Sequence, residues 1–257
     1  MRSAAESKIQ DQASADMVNR LLVAWQHPQS RSISPVGRLE QQGNRYSFRY
    51  LQRASEVEGF KPFIGFPDLA SSYDSTRLFP LFRQRVMDPK RPDYVRYLET
   101  LGLGEDAAPM EILSRSAGIR QGDAIMLFPE PPVQADGSTK YSFLVHGVRH
   151  MAKFGAEERI ADLKSGDELT LIDEPSNPVN PRALLVTSSG EYSLGWVPDL
   201  LLEYVHRVRD EGGSRILVER TNGPDVPWHL RLCVCLVGKA PTGWKPFEGP
   251  GWKVSTR

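Results

Sequence analysis

The stretch from Gly166 to Pro198, GDELTLIDEPSNPVNPRALLVTSSGEYSLGWVP, constrains the fold of this chain more than any other. Leu169 and Leu171 alternate with Thr170 and Ile172, which is the period of a β-strand. Glu174-Pro175-Ser176-Asn177-Pro178 then breaks the strand, because proline has no N–H to donate and Asn and Ser favour turns. Ala183 to Val186 restarts an apolar strand, a hairpin follows, and Leu194-Gly195-Trp196-Val197-Pro198 ends a third strand. The segment reads as strand, polar loop, strand, hairpin, strand, a β-module shaped to face a ligand.

A different module, residues 17–130, lies upstream, behind a polar tail over 1–16 that is expected to be disordered. Leu21 to Trp25 and Tyr46 to Tyr50 read as short strands, with Val36-Gly37-Arg38-Leu39 between them and Gly43-Asn44 closing a hairpin. Leu78, Phe82 and Val86 recur at i, i+4 and i+8, and Tyr94, Leu98 and Leu101 nearly so. Met110, Leu113 and Ala117 follow Pro109 and stop at Gly118, so three helices are expected, each with one face to bury. Ala124 to Phe128 returns as an apolar strand, and the Pro- and Gly-rich residues 131–139 read as a linker.

The expected class is α+β, with a small antiparallel sheet and helices on one side of it, followed by a β-rich domain over 140–240. In that domain a helix over Pro198 to Arg209 puts Leu201, Val205 and Val208 on one face and stops at Gly212-Gly213. Arg207 and Arg209 near its C-terminus are accounted for by solvation and the helix dipole. The tail over 241–257 repeats Gly243-Trp244-Lys245 and Gly251-Trp252-Lys253, and its tryptophans are expected to fold back on the protein or to anchor a partner.

Composition narrows the function. The 257 residues suit two modest domains, and 40% hydrophobic residues suffice for cores. With 32 Lys and Arg against 32 Asp and Glu there is no broad basic surface, so any nucleic-acid site must be local. Neither a long apolar run nor a charged-then-apolar leader occurs, and a cytoplasmic location is expected. Cys233 and Cys235 lie two apart in an apolar run and read as core thiols, and His146 and His150 are a close pair expected within one strand. Zinc wants four convergent ligands, so no metal and no other cofactor is expected. No phosphate-binding GxxxxGK[ST], GxSxG elbow or HExxH helix occurs, and the adjacent carboxylates of Asp173 and Glu174 point apart on a strand, so the expectation is a protein without catalysis.

The EP-x-NP loop, the Leu194 to Pro198 strand end and an upstream Gly147-Val148-Arg149-His150 together resemble a HIRAN domain, from about Phe143 to about Val237. The resemblance implies a small β-barrel with two helices. HIRAN domains stand alone in bacteria and are fused to DNA-dependent remodelling ATPases in eukaryotes, where some bind the 3′ end of single-stranded DNA. It therefore implies DNA, as a single-stranded end or junction, held by Arg149, His150, Asn177, Asn180 and Trp196. Arg149 can fork onto a phosphate or base edge, or pair at the rim with Glu174 or Asp173. Asn177 can donate to a base or fasten its own turn. His150 and Met151 stand where DNA-end-binding members carry two tyrosines, and Val179 and Asn180 where they carry Tyr and Asp, so stacking surface is lost there. Trp196 is either a replacement platform or an inter-strand core residue.

Residues 17–130 resemble the N-terminal subdomain of HipA-family toxin kinases, on Val36 to Leu39, Phe48-Arg49-Tyr50, Pro62 to Pro67, Leu78 to Phe82, and Glu111-Ile112-Leu113 before Gly118. Gly65 and Phe66 depart from the family's Ser and Leu, and Arg85 to Asp88 from its Asn-Leu-Leu-Pro. The kinase core would follow residue 130, where the HIRAN-like part stands instead. The resemblances together imply a non-catalytic, two-module binding protein, one module on DNA and the other docking a protein. The alternative is an antitoxin-type regulatory subunit that binds a HipA-like kinase without touching DNA.

Overall fold

Leu21, Leu22, Val23 and Ala24 are all fully buried, so β1 (Arg20–Gln26) has both faces covered and must lie inside a sheet. A computed structural model describes residues 19–189 and 192–255, and the expectation of a disordered stretch over 1–16 lies outside the described residues. The fold is α+β with two antiparallel sheets and few helices. Two units divide the described residues: 19–98, 103–130 and 247–255 form the first, and 99–102 with 131–246 the second. Among the described residues no helix is long and apolar enough to cross a membrane.

In the first unit β1 pairs with β2 (Ile33–Gln42), which pairs with β3 (Arg45–Tyr50) and then β4 (Ser72–Ser75). The β2–β3 hairpin turns at Gly43, whose φ of +58° is the left-handed region that glycine enters freely. Residues 33–42 thus form one long strand, and β4 is a strand that no alternation announces. Pro35, which lacks a ladder donor, sits at the bulge in β2. Tyr50 ties the Pro62 to Pro67 segment to the sheet: its buried hydroxyl donates to Phe66 O at 3.0 Å and accepts from Phe63 N at 2.7 Å. Burial pushes that hydroxyl's pKa up to about 12.

The helix expected across Leu78 to Val86 is corrected to a single turn, α1 (Pro80–Arg83). Phe79 before it is extended, as a residue preceding proline prefers, and Arg85 N and Val86 N fall back to i−3 bonds. Phe82 and Val86 are buried all the same, Phe82 against Phe48 and Phe66, so their spacing reflects an aromatic core. α2 (Tyr94–Leu101) and α3 (Pro109–Arg115) match the other two periodic stretches. α3 ends before Ala117, which with Gly118 turns left-handed and hands the chain to β5 (Ile125–Pro129), paired with β1.

In the second unit the strand order is β6 (Ser138–Leu144), β11 (Leu232–Lys239), β10 (Arg215–Thr221), β7 (Glu168–Asp173), β8 (Leu184–Ser188), β9 (Tyr192–Trp196). Its two ends meet: just past β6, His146 N donates to Trp196 O at 2.9 Å and Trp196 N to His146 O at 2.8 Å. Among the described residues this bridge joins the two edges of the sheet and draws the strands toward a ring. Gly190 and Glu191, in the hairpin between β8 and β9, lie outside the described residues. Two short helices, α4 (Val148–Met151) and α5 (Ala156–Asp162), follow β6 and pack on β9.

The helix expected from Pro198 is corrected to a 3-10 turn, Asp199–Leu201, leading into α6 (Leu202–Asp210), with Leu201, Val205 and Val208 fully buried. Cys233 and Cys235 are buried in β11 and form no disulfide with each other. The two tail tryptophans go to different units: Trp244 stacks on Tyr204, whereas Trp252 packs on Phe247 beneath Arg53.

Candidate nucleic-acid interface

Gly147 opens α4 with φ +73°, a conformation that turns the chain sharply out of the closing pair. One helical turn then buries Val148 and Met151 and leaves Arg149 and His150 in solvent. His150 therefore does not share a strand with His146, because the chain leaves the extended conformation at Gly147. Gly147 also lies flat under the indole of Trp196: a Cβ added there would stand 2.4 Å from Trp196 Cε3.

Glu174 fixes the indole from its other end. Trp196 Nε1 donates to Glu174 Oε2 at 2.7 Å, and Asn177 Nδ2 donates to the same oxygen at 2.6 Å. Asn177 Oδ1 in turn accepts from Val179 N at 3.0 Å and Asn180 N at 3.2 Å, the Asx-turn of the two readings for this residue. Asn180 Oδ1 accepts from Arg182 N at 3.0 Å, and Glu174 N closes the loop onto Ala183 O at 3.0 Å. Asn180 Nδ2 also points to the Asp199 carboxyl at 3.5 Å, whose pKa burial raises above the usual carboxylate range. The loop over 174–183 is thus fastened by its own side chains.

Neither acid considered as a rim partner takes Arg149. Asp173 pairs with Arg209 at 2.7 Å, and Glu174 is occupied by Trp196 and Asn177. Among the described residues Arg149 has no ion pair, and it is exposed. Arg209, expected to be solvated, instead holds the end of β7, while His206 Nε2 donates to Arg182 O at 2.9 Å on the same loop. Gly147 meets the Trp196 indole, Arg149 and His150 follow it in the exposed part of α4, Asn177 shares Glu174 with the indole, and Asn180 fastens the same loop. Glu174 is the residue that sequence reasoning missed as a part of the site; 22 positions separate it from Trp196, and no local pattern marks the pair. No cluster of three His, Cys, Asp or Glu able to hold a metal occurs among the described residues.

The closing pair carries a pH dependence. Burial, and then nearby His229, push the His146 pKa down to about 4, and burial lowers His229 as well. A histidine held neutral in the fold contributes stability that is fully present above its unfolded pKa of about 6.5 and is lost as pH falls toward its folded pKa. We expect the second unit to lose about 2 kcal/mol between pH 7.5 and pH 5 from His146 alone. Urea unfolding followed by tryptophan fluorescence at the two pH values checks this, with His146→Gln removing most of the difference.

The chain matches no family model and no curated protein. Among solved structures, the HIRAN domain of human HLTF matches at 13% sequence identity and a TM-score of 0.30, over 39% of this chain and 75% of that one. The match lends nothing to the kinase-subdomain resemblance of residues 17–130.

Proposed function

We propose that the second unit binds the end of a single-stranded nucleic acid, without catalysis, on the surface formed by Arg149, His150 and Trp196. The observation that carries the reading is Arg149, exposed and without an ion pair among the described residues, two residues past a glycine that seats an indole held by Glu174. A guanidinium offers a planar fork of donors to a phosphate, and a pre-positioned ring offers a base a face to stack on. Because the loop is already fastened, little ordering is required on binding. The sequence resemblance to HIRAN domains supports the same ligand class and favours the 3′ end.

Fluorescence anisotropy with oligonucleotides carrying a free or a blocked 3′-hydroxyl tests the proposal. We expect tighter binding of the free end and a shallow salt dependence, since neutralising two or three phosphates gives a log–log slope of about −1.4 to −2.1 for a single strand. Arg149→Ala should weaken binding about 10-fold or more, as the loss of a charge-assisted hydrogen bond does, while the thermal midpoint stays within about 2 °C. Absence of binding to either oligonucleotide sinks the proposal, and a steep salt slope replaces the local site with a broad one.

A further inference from the structure

Two aromatic rings outside this site stand in solvent beside β9. Phe154, in the turn between α4 and α5, is 66% exposed, and Tyr192, at the head of β9, is 45% exposed. Each carries a cation: the Lys153 ammonium lies 4.9 Å from the Phe154 ring centroid, and the Arg159 guanidinium 5.7 Å from that of Tyr192. Arg159 is held in that position, because its Nε donates to Ser188 Oγ at 2.7 Å.

The residues from Gly147 to Asp162 run along β9 from one end to the other. Gly147 meets Trp196, the Phe154 turn packs on β9, and Arg159 on α5 meets Tyr192. Four steps of strand lead from Tyr192 to Trp196, a span of about 13 Å. Arg149, Lys153 and Arg159 place three cations in this stretch. The carboxylates between Lys153 and Arg159 are Glu157, paired with Arg231 at 3.2 Å, and Glu158.

We propose that this edge is a second subsite for the same single strand: a chain whose end is held at Arg149 and Trp196 continues across Phe154 and Tyr192, each ring stacking one base, with Lys153 and Arg159 beside the phosphates. The inference rests on the reading of the second unit as a single-strand binder. Separate rings, each flanked by a cation, suit alternating bases and phosphates, whereas an apolar protein partner needs contiguous apolar surface. Neither ring belongs to the buried core, since Phe154 and Tyr192 both stand exposed.

The test compares fluorescein-labelled oligo(dT) of three and of ten nucleotides on the full chain by anisotropy. The ten-mer should bind at least about tenfold more tightly than the three-mer. Phe154→Ala and Tyr192→Ala should each weaken the ten-mer about tenfold, leave the three-mer unchanged, and leave the thermal midpoint where it was. Unchanged ten-mer affinity in both variants overturns the subsite while the end-binding reading stands. Equal weakening of both lengths also overturns it, by placing the rings in the end site. If the unaltered protein binds neither length, both readings fall together.

Discussion

Gly195→Ala should cost the second unit about 3–5 kcal/mol, lower its thermal midpoint by on the order of 10–20 °C, and abolish oligonucleotide binding. Gly195 has φ +150°, a region that residues with a Cβ rarely adopt. It sits at the β8–β9 irregularity, where Val186 pairs with Gly195 and Thr187 with Ser193, leaving Leu194 as the extra residue. An added Cβ would stand 2.3 Å from His146 O, the oxygen that accepts Trp196 N, and 2.6 Å from Val145 Cγ1. The obstruction is backbone, so no side chain can swing away to relieve it. Strain at such a backbone conformation and overpacking each contribute about 1–3 kcal/mol, and the loss of the closing pair adds to them. Thermal unfolding followed by circular dichroism reads the first effect and anisotropy the second. A midpoint within about 3 °C of the unaltered protein would show that the ring is not held shut by this pair.

The sequence made the strands from Gly166 to Pro198 legible because alternation, turn-forming residues and proline coincide there. Gly43-Asn44 and the faces of α2 and α3 were legible for similar local reasons. α4 and α5 were not, since helices of four and seven residues cannot repay their nucleation locally and exist through packing on β9. The converse error occurred at Leu78, Phe82 and Val86, where a helical spacing arose from burial beside Phe48 and Phe66. At the candidate site, Arg149 and Trp196 could be proposed from motifs, but their setting could not be. The bond from Trp196 to Glu174 and the pair of Asp173 with Arg209 join residues 22 and 36 positions apart, and such contacts leave no periodic trace. Seen in place, Asp173 and Glu174 do point apart, each to its own partner; what adjacency alone could not tell is that one of them aims the indole.

Arg231→Met should be about as damaging as Gly195→Ala, by another route. The Arg231 side chain is 7% exposed and its guanidinium is a clamp for backbone: Nε donates to Val226 O at 2.7 Å and Nη2 to Pro224 O at 2.7 Å. Nη1 reaches Glu157 at 3.2 Å, and the group lies 4.6 Å from the Trp228 ring centroid. Methionine fills much of the volume but donates nothing, so two carbonyls in the loop before β11 lose their partners at about 1–3 kcal/mol each. The expected total is about 3–5 kcal/mol, typical of breaking a buried charged network from one side. Glu157→Gln is the control: that carboxylate is 39% exposed, its pairing is screened by water, and its loss should cost less than about 1 kcal/mol. Urea unfolding of both variants separates the contributions. Equal losses would locate the effect in the ion pair and not in the carbonyl clamp. The larger loss expected for Arg231→Met would locate the stabilisation in the carbonyl clamp that Arg231 makes on the loop before β11, with its tie to Glu157 on α5 a minor part.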